Sequence, residues 1–157
     1  MATFNTDTAL RFINSDYLPL SNARVREVLD PATLQRVGQV GLCDEADVQA
    51  AVDAATGAQK EWRLIDAKTR AARLHQLANA IEQNVACNRE VARLMTLEMG
   101  KPFPEAMGEL ANCAPIFRYY AEMARDDAGK VAGTTQIGSF QHVRYEPYGV
   151  SVHIMPF

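Results

Sequence analysis

The feature that most constrains this chain is a change of hydrophobic period along it. From Asp44 to Ala124, apolar residues recur every three or four positions, as one face of a helix requires. On either side they alternate or cluster in short runs, as strands do. Val48, Ala51, Val52, Ala55, Ala58 and Trp62 form the first helical stripe, behind Asp44 as cap and an acidic Asp47 in the first turn. A second helix is expected from near Asp66, with Ala71, Leu74, Leu77, Ala78, Ile81 and Val85 on one face. A third begins around Asn88, carries Val91, Leu94 and Met95, and stops at Gly100, with Pro102 preventing continuation. The fourth starts at Pro104, a favoured first-turn residue, and aligns Ala106, Leu110, Cys113, Phe117, Tyr120 and Ala124 on its inner face. Pro115 falls in its middle and removes a backbone hydrogen bond, so a bend is expected there, at a cost of about 3 kcal/mol.

Ahead of the helices, Phe12-Ile13 and Tyr17-Leu18 flank the turn former Asn14-Ser15-Asp16. Arg24 to Leu29 and Gln35 to Val40 flank Asp30-Pro31-Ala32-Thr33 in the same way. Behind the helices, from Gly129, Phe140 to Glu146 alternates and Pro147 interrupts it. Val150, Val152 and Ile154 then alternate with Ser151, His153 and Met155. The outer strands have no obvious partners, and such edges invite pairing. The last apolar run ends on Pro156-Phe157 without a polar tail, so the chain reads as one that has been cut.

Composition narrows the partners. A content of 48% hydrophobic and 22% charged residues is that of a soluble globular domain. A net charge of −3, with arginines scattered in pairs, argues against nucleic acid. No run approaches the roughly 18 apolar residues of a membrane helix, and MATFNTDTALRF lacks the basic start and apolar core of a secretory signal. Cys43, Cys87 and Cys113 are odd in number and far apart, which fits buried thiols in a reducing cytoplasm better than disulfides or zinc.

Taken alone, the residues supply no complete active site. His75 lies near the second helical stripe, while His142 and His153 sit on separate strands, and no pair has helical metal-site spacing. Glu105 and Glu109 share a helix face, as paired acids do, but a solvated helix start stabilised by the dipole explains them as well. Neither the G-x-x-x-x-G-K-[ST] phosphate loop nor G-x-G-x-x-G is present.

Several segments nevertheless fall in a telling order. Phe12-Ile13-Asn14 followed by Val28 to Thr33 resembles the opening strands and "NPATG" turn of the aldehyde dehydrogenase superfamily. Asp47 to Val52, with Ala55 and Trp62, resembles that family's first helix. Glu98-Met99-Gly100-Lys101-Pro102 is similar to its "E-x-GKP" helix end, and Tyr119-Tyr120-Ala121 to its "YYA" segment. Arg144 to Val150 resembles its "R-x-EP-x-GV" junction, and Ile154-Met155-Pro156-Phe157 the start of "I-x-P-[WF]-N". The "EMGKP" and "FRYYAE" variants lean towards the succinate-semialdehyde dehydrogenase branch.

The resemblance implies an α/β fold: the N-terminal part of the aldehyde dehydrogenase architecture, with short strands, about four helices, a β-arm and a first sheet strand. Residues 1–128 then resemble the N-terminal part of the cofactor-binding domain. Residues 129–147 resemble an oligomerisation arm that joins like subunits, and 148–157 the return into the cofactor-binding domain. It implies NAD or NADP as cofactor, a small aldehyde as substrate, and Ile154, Met155, Pro156 and Phe157 as cofactor-side residues. It further implies attack by a cysteine thiolate, hydride transfer to the nicotinamide, and release of the acid by a glutamate-activated water.

None of Cys43, Cys87 and Cys113 sits in the family's cysteine motif, so no catalytic residue carries over. The oxyanion-holding asparagine is expected directly after Phe157. Glu98 and the backbone near Val28 resemble a monovalent-cation position of some members, although a helix-end acid facing water reads the same way. Two readings stay open: the front of a dehydrogenase, inactive by itself, or a short non-catalytic relative that binds full-length protomers through its arm.

Overall fold

The computed structural model describes residues 10–22, 24–126, 129–133 and 136–155. Strands β1 (Leu10–Ile13), β2 (Asp16–Pro19), β3 (Val25–Leu29) and β4 (Arg36–Gly41) come first. Helices α1 (Glu45–Trp62), α2 (Ala67–Gln83), α3 (Val85–Met99) and α4 (Phe103–Met123) follow, and β5 (Lys130–Ala132) and β6 (Gln141–Val143) close the order. Each sheet is a two-stranded antiparallel ribbon: β1 with β2, β3 with β4, β5 with β6. The α/β class and the helix count follow the expectation from sequence.

The first ribbon turns on Asn14 and Ser15, with φ of 55° and 68°. Two left-handed residues in succession match the right-handed twist of paired strands, and Asn is among the residues that tolerate them. The register sets Phe12 opposite Tyr17, and their rings lie 4.9 Å apart. In the second ribbon the Asp30 carboxylate accepts from the Ala32 N–H at 2.8 Å and the Thr33 hydroxyl at 2.9 Å, closing the turn.

Leu34 completes that turn with φ of 59° while 73% exposed. A left-handed leucine carries a steric cost of about 1–2 kcal/mol, with no burial here to offset it. Leu34→Gly is therefore expected to raise stability by about 1 kcal/mol, read as a higher urea midpoint at unchanged slope. A lower midpoint would show that the leucine is held there by packing.

α1 opens on a reciprocal cap. The Asp47 N–H donates to the Asp44 carboxylate at 3.1 Å, and the Asp44 N–H to the Asp47 carboxylate at 3.2 Å. The Asp47 N–H, followed by the side chains of Ser21 and Asn22, holds the Asp44 carboxyl down to about 2. Asp66 caps α2 through the Thr69 N–H at 2.9 Å and the Thr69 hydroxyl at 2.8 Å.

α3 starts at Val85, before the expected Asn88. Asn84 alone ends α2 and begins α3, so Val85 belongs to the third helix instead of the second. Asn88 serves the junction in another way. Its amide donates to the Ile81 carbonyl at 2.7 Å, tying the first turn of α3 to the end of α2. Gly100 closes α3 with φ of 77°, and its N–H reaches the Thr96 carbonyl at 2.9 Å. A Cβ there would stand 3.2 Å from the Pro31 ring, so the left-handed cap also seats the second ribbon. α4 runs on through Pro115, with Pro115 and Ala111 both exposed. Water can meet the carbonyl that Pro115 leaves without a donor there, so the lost bond does not end the helix.

Among the described residues, the buried apolar side chains are all alanines: Ala71 and Ala78 of α2, Ala92 of α3, and Ala106, Ala114 and Ala121 of α4. α2 and α3 both pack on α4. The two alanines of α2 are two helical turns apart, as are Ala114 and Ala121. Where backbones approach closely, a methyl group fills the space that a larger chain would force open. Tyr120, expected to face inward, is 57% exposed because Ala114 and Ala121 take the inner line of α4.

Two further expectations are corrected. Cys43 is exposed and Cys87 and Cys113 are half-buried, so the thiols are free but not enclosed. Cys43 stands in the link from β4 to α1, and the Cys113 thiol donates back to the Glu109 carbonyl of its own helix at 3.4 Å. Val150 to Met155 joins no ladder among the described residues. Alternation supplies a strand's faces but not the neighbour whose backbone completes its hydrogen bonds.

Candidate functional site

β1, α1 and the segment Val150–Val152 enclose an apolar cleft of about 460 Å³. Val48, Ala51, Val52 and Ala55 line it from α1, and Phe12 and Ile13 from β1. The four from α1 belong to the apolar stripe read from the sequence.

At the cleft Asp47 is 2% exposed, the one buried charged residue among those described. A buried carboxylate needs a full set of partners, and this one has them. The Arg11 guanidinium Nη1 donates to it at 2.5 Å, the Ser21 N–H at 3.2 Å, and the Asp44 N–H at 3.2 Å. One carboxylate thus joins β1, the loop after β2 and the start of α1. The Arg11 Nε is buried without an acceptor.

Ile154 and Met155 follow two residues beyond the cleft wall and are 91% and 81% exposed. Pro156 and Phe157 lie outside the described residues. The structure thus places two apolar side chains of the expected cofactor segment in the open. They follow, in sequence, the stretch that walls the cleft.

The remaining candidates stand apart from this site. His75 Nε2 lies 2.9 Å from Glu122 Oε1, bridging α2 and α4. His153 Nε2 lies 2.9 Å from the Ser151 hydroxyl, and the His142 ring lies 5.7 Å from that of Phe140. Glu109 pairs with Lys101, and Glu105 is exposed at the start of α4. Glu98 is exposed, and no group of three or more His, Cys, Asp or Glu among the described residues is placed to hold a metal ion. Among those residues no helix is long and apolar enough to cross a membrane. Sequence reasoning missed the Arg11–Asp47 pair. Asp47 was legible only as an acidic first-turn residue, and nothing local ties it to an arginine 36 positions away.

With this geometry in view, the comparisons are consistent. The chain belongs to the aldehyde dehydrogenase family, which matches residues 19–157. It is 34% identical to glutarate-semialdehyde dehydrogenase of Pseudomonas putida over 93% of this chain and 30% of that protein. It is 33% identical to the NADP(+) succinate-semialdehyde dehydrogenase of Escherichia coli, over 92% of this chain and 30% of the relative. Retinaldehyde dehydrogenase 3 of Rattus norvegicus is 36% identical over 93% of this chain and 28% of its own length. The chain thus spans about 30% of the curated relatives it matches.

Among solved structures, betaine aldehyde dehydrogenase of Staphylococcus aureus, in complex with NAD+, superposes with a TM-score of 0.79 at 22% identity. That match covers 89% of this chain and 28% of that one. At this identity the likeness concerns the fold, and the fold it shows is the N-terminal part of the family architecture.

Proposed function

We propose that this chain is the N-terminal portion of an NAD(P)-dependent aldehyde dehydrogenase that oxidises an aldehyde to a carboxylic acid. The observation that carries the reading is the family match over residues 19–157, in a chain spanning about 30% of its relatives. Residues 1–128 belong to the cofactor-binding domain, 129–147 form an arm that pairs with a like subunit, and 148–157 return to that domain. Two observations support the arm. β5 and β6 form a ribbon with exposed residues throughout, and Gly129, with φ of 121°, lets the ribbon's base approach closely. A Cβ there would stand 2.0 Å from the Val143 carbonyl.

Ile154 to Phe157 form part of the nicotinamide wall. The exposed apolar side chains of Ile154 and Met155 fit a flat, largely apolar ring. When bound, the nicotinamide supplies the hydride acceptor. This chain's residues contribute position and exclusion of water. The nucleophilic cysteine, the glutamate and the oxyanion-holding asparagine belong to segments outside this chain. Cytoplasmic residence is part of the same reading, supported by three free thiols.

Succinate and glutarate semialdehydes lead the substrate panel because two relatives near 34% identity act on them by name, with retinaldehyde as the contrasting member. The test is nicotinamide reduction with NAD+ and with NADP+. Residues 1–157 alone are expected to give none, and the product of the coding region read past codon 157 to oxidise at least one semialdehyde. Turnover by residues 1–157 alone would overturn the assignment of the chemistry to other segments. A stop codon directly after Phe157 would overturn catalysis and leave a non-catalytic partner of full-length protomers.

A further inference from the structure

We propose that Arg11 and Asp47 are a positioning pair for the segment Val150–Met155. They set where Ile154 and Met155 stand while touching neither cofactor nor substrate. The inference rests on the reading of Ile154 and Met155 as nicotinamide-side residues.

Three facts carry it. Val150, Ser151 and Val152 wall the same cleft as Arg11 and Asp47, although they come from the far end of the sequence. The segment has no ladder of its own among the described residues, so no strand partner there fixes its seat. Arg11 is anchored rigidly on one side, at 2.5 Å from a carboxylate that three donors hold, yet its Nε is buried with no acceptor. A buried donor left unmet is costly, and a backbone carbonyl of a chain lying along the cleft is the natural group to meet it. An ion pair that serves only to cap α1 needs no arginine in the cleft wall, because the reciprocal Asp44–Asp47 bonds already complete that cap.

The pair therefore transmits the position of β1 and α1 to the stretch that ends in Ile154 and Met155. A shift of about 1 Å in a positioning element is enough to cost orders of magnitude in a bound geometry.

The experiment uses the whole protein that contains this chain, with NADH binding followed by fluorescence and amide exchange followed along residues 150–155. In the double variant Arg11→Met with Asp47→Asn, the single oxygen of the new amide still accepts the capping Asp44 N–H. It is expected to bind NADH about tenfold more weakly and to exchange faster at 150–155. Arg11→Lys, which keeps the charge and loses the fork, is expected to fall between it and the unsubstituted protein. Should the double variant fail to fold, Arg11→Lys alone carries the test. Arg118→Met, which cuts a surface pair between α4 and Glu82 of α2, is expected to move neither reading.

Ile154→Gly separates the two levels of inference. If it leaves NADH binding unchanged, the cofactor reading fails and the positioning role fails with it. If it weakens binding while the Arg11 variants do not, the positioning role alone is overturned. Faster exchange spread evenly over the whole chain would also overturn it, since that marks a merely structural pair.

Discussion

Ala78→Leu is expected to destabilise the protein by about 3 kcal/mol, the upper end of what overpacking a well-filled interior costs. Ala78 is 0% exposed on α2, and α2 packs on α4, whose own buried residues are Ala106, Ala114 and Ala121. Three added carbons have no void to enter. They must either adopt a poor rotamer or push the two backbones apart, which opens the contacts around Ala71 and Ala121 as well. Ala80→Leu on the exposed side of the same helix is the control, because Leu and Ala differ little in helix propensity. It is expected to stay within about 0.5 kcal/mol. Urea midpoints measured at a common slope decide the matter. Equal losses in both variants would mean that the alanine contact is not the tight point of the bundle.

That contact also shows where reading the sequence stopped. Periodicity identifies which side of a helix is apolar, and for α1 the stripe of Val48, Ala51, Val52 and Ala55 proved to face the cleft. The caps were legible because they are local: Asp44 and Asp66 each meet an N–H three residues on, and Gly100 is left-handed by the terminal geometry of α3. What periodicity lacks is the distance between helices. At close approach the smallest residues go innermost, so Ala114 and Ala121 displaced Tyr120 from the inner line of α4. The start of α3 was misplaced for a related reason, since Asn88 carries a cap residue's side chain but uses it across a helix junction.

The candidate site divides along the same line. Ile154 to Phe157 are named through resemblance, whereas the pairing of Arg11 with Asp47, 36 positions apart, needed the fold to bring the two together. Alternation at Val150 to Ile154 suggested a strand that the segment does not form, because strand formation depends on a partner that no local pattern supplies.

Asp47→Ala is expected to cost about 4 kcal/mol, the largest loss of any single substitution considered for this chain, because it acts through two mechanisms. The first is electrostatic. Removing the carboxylate strands the Arg11 guanidinium, whose side chain is only 22% exposed, without a counter-charge, and breaking such a pair from one side typically costs about 3–5 kcal/mol. The second is the cap: the Asp44 N–H and the Ser21 N–H lose their acceptor, at about 1 kcal/mol for a capping contact.

The two mechanisms separate by substitution. Asp47→Asn keeps one acceptor oxygen, enough for only one of the Asp44 and Ser21 N–H groups because these reach different carboxylate oxygens, and it loses the charge, so it is expected to lose about 3 kcal/mol. The double variant Arg11→Met with Asp47→Ala removes both charges and is expected to recover about 2 kcal/mol of the single loss. Recovery of that size would place most of the cost in the stranded arginine, so that the pair holds β1 to α1 by charge. No recovery would place it in the cap instead, and the cleft wall would then be held by the start of α1 with Arg11 as a passive neighbour.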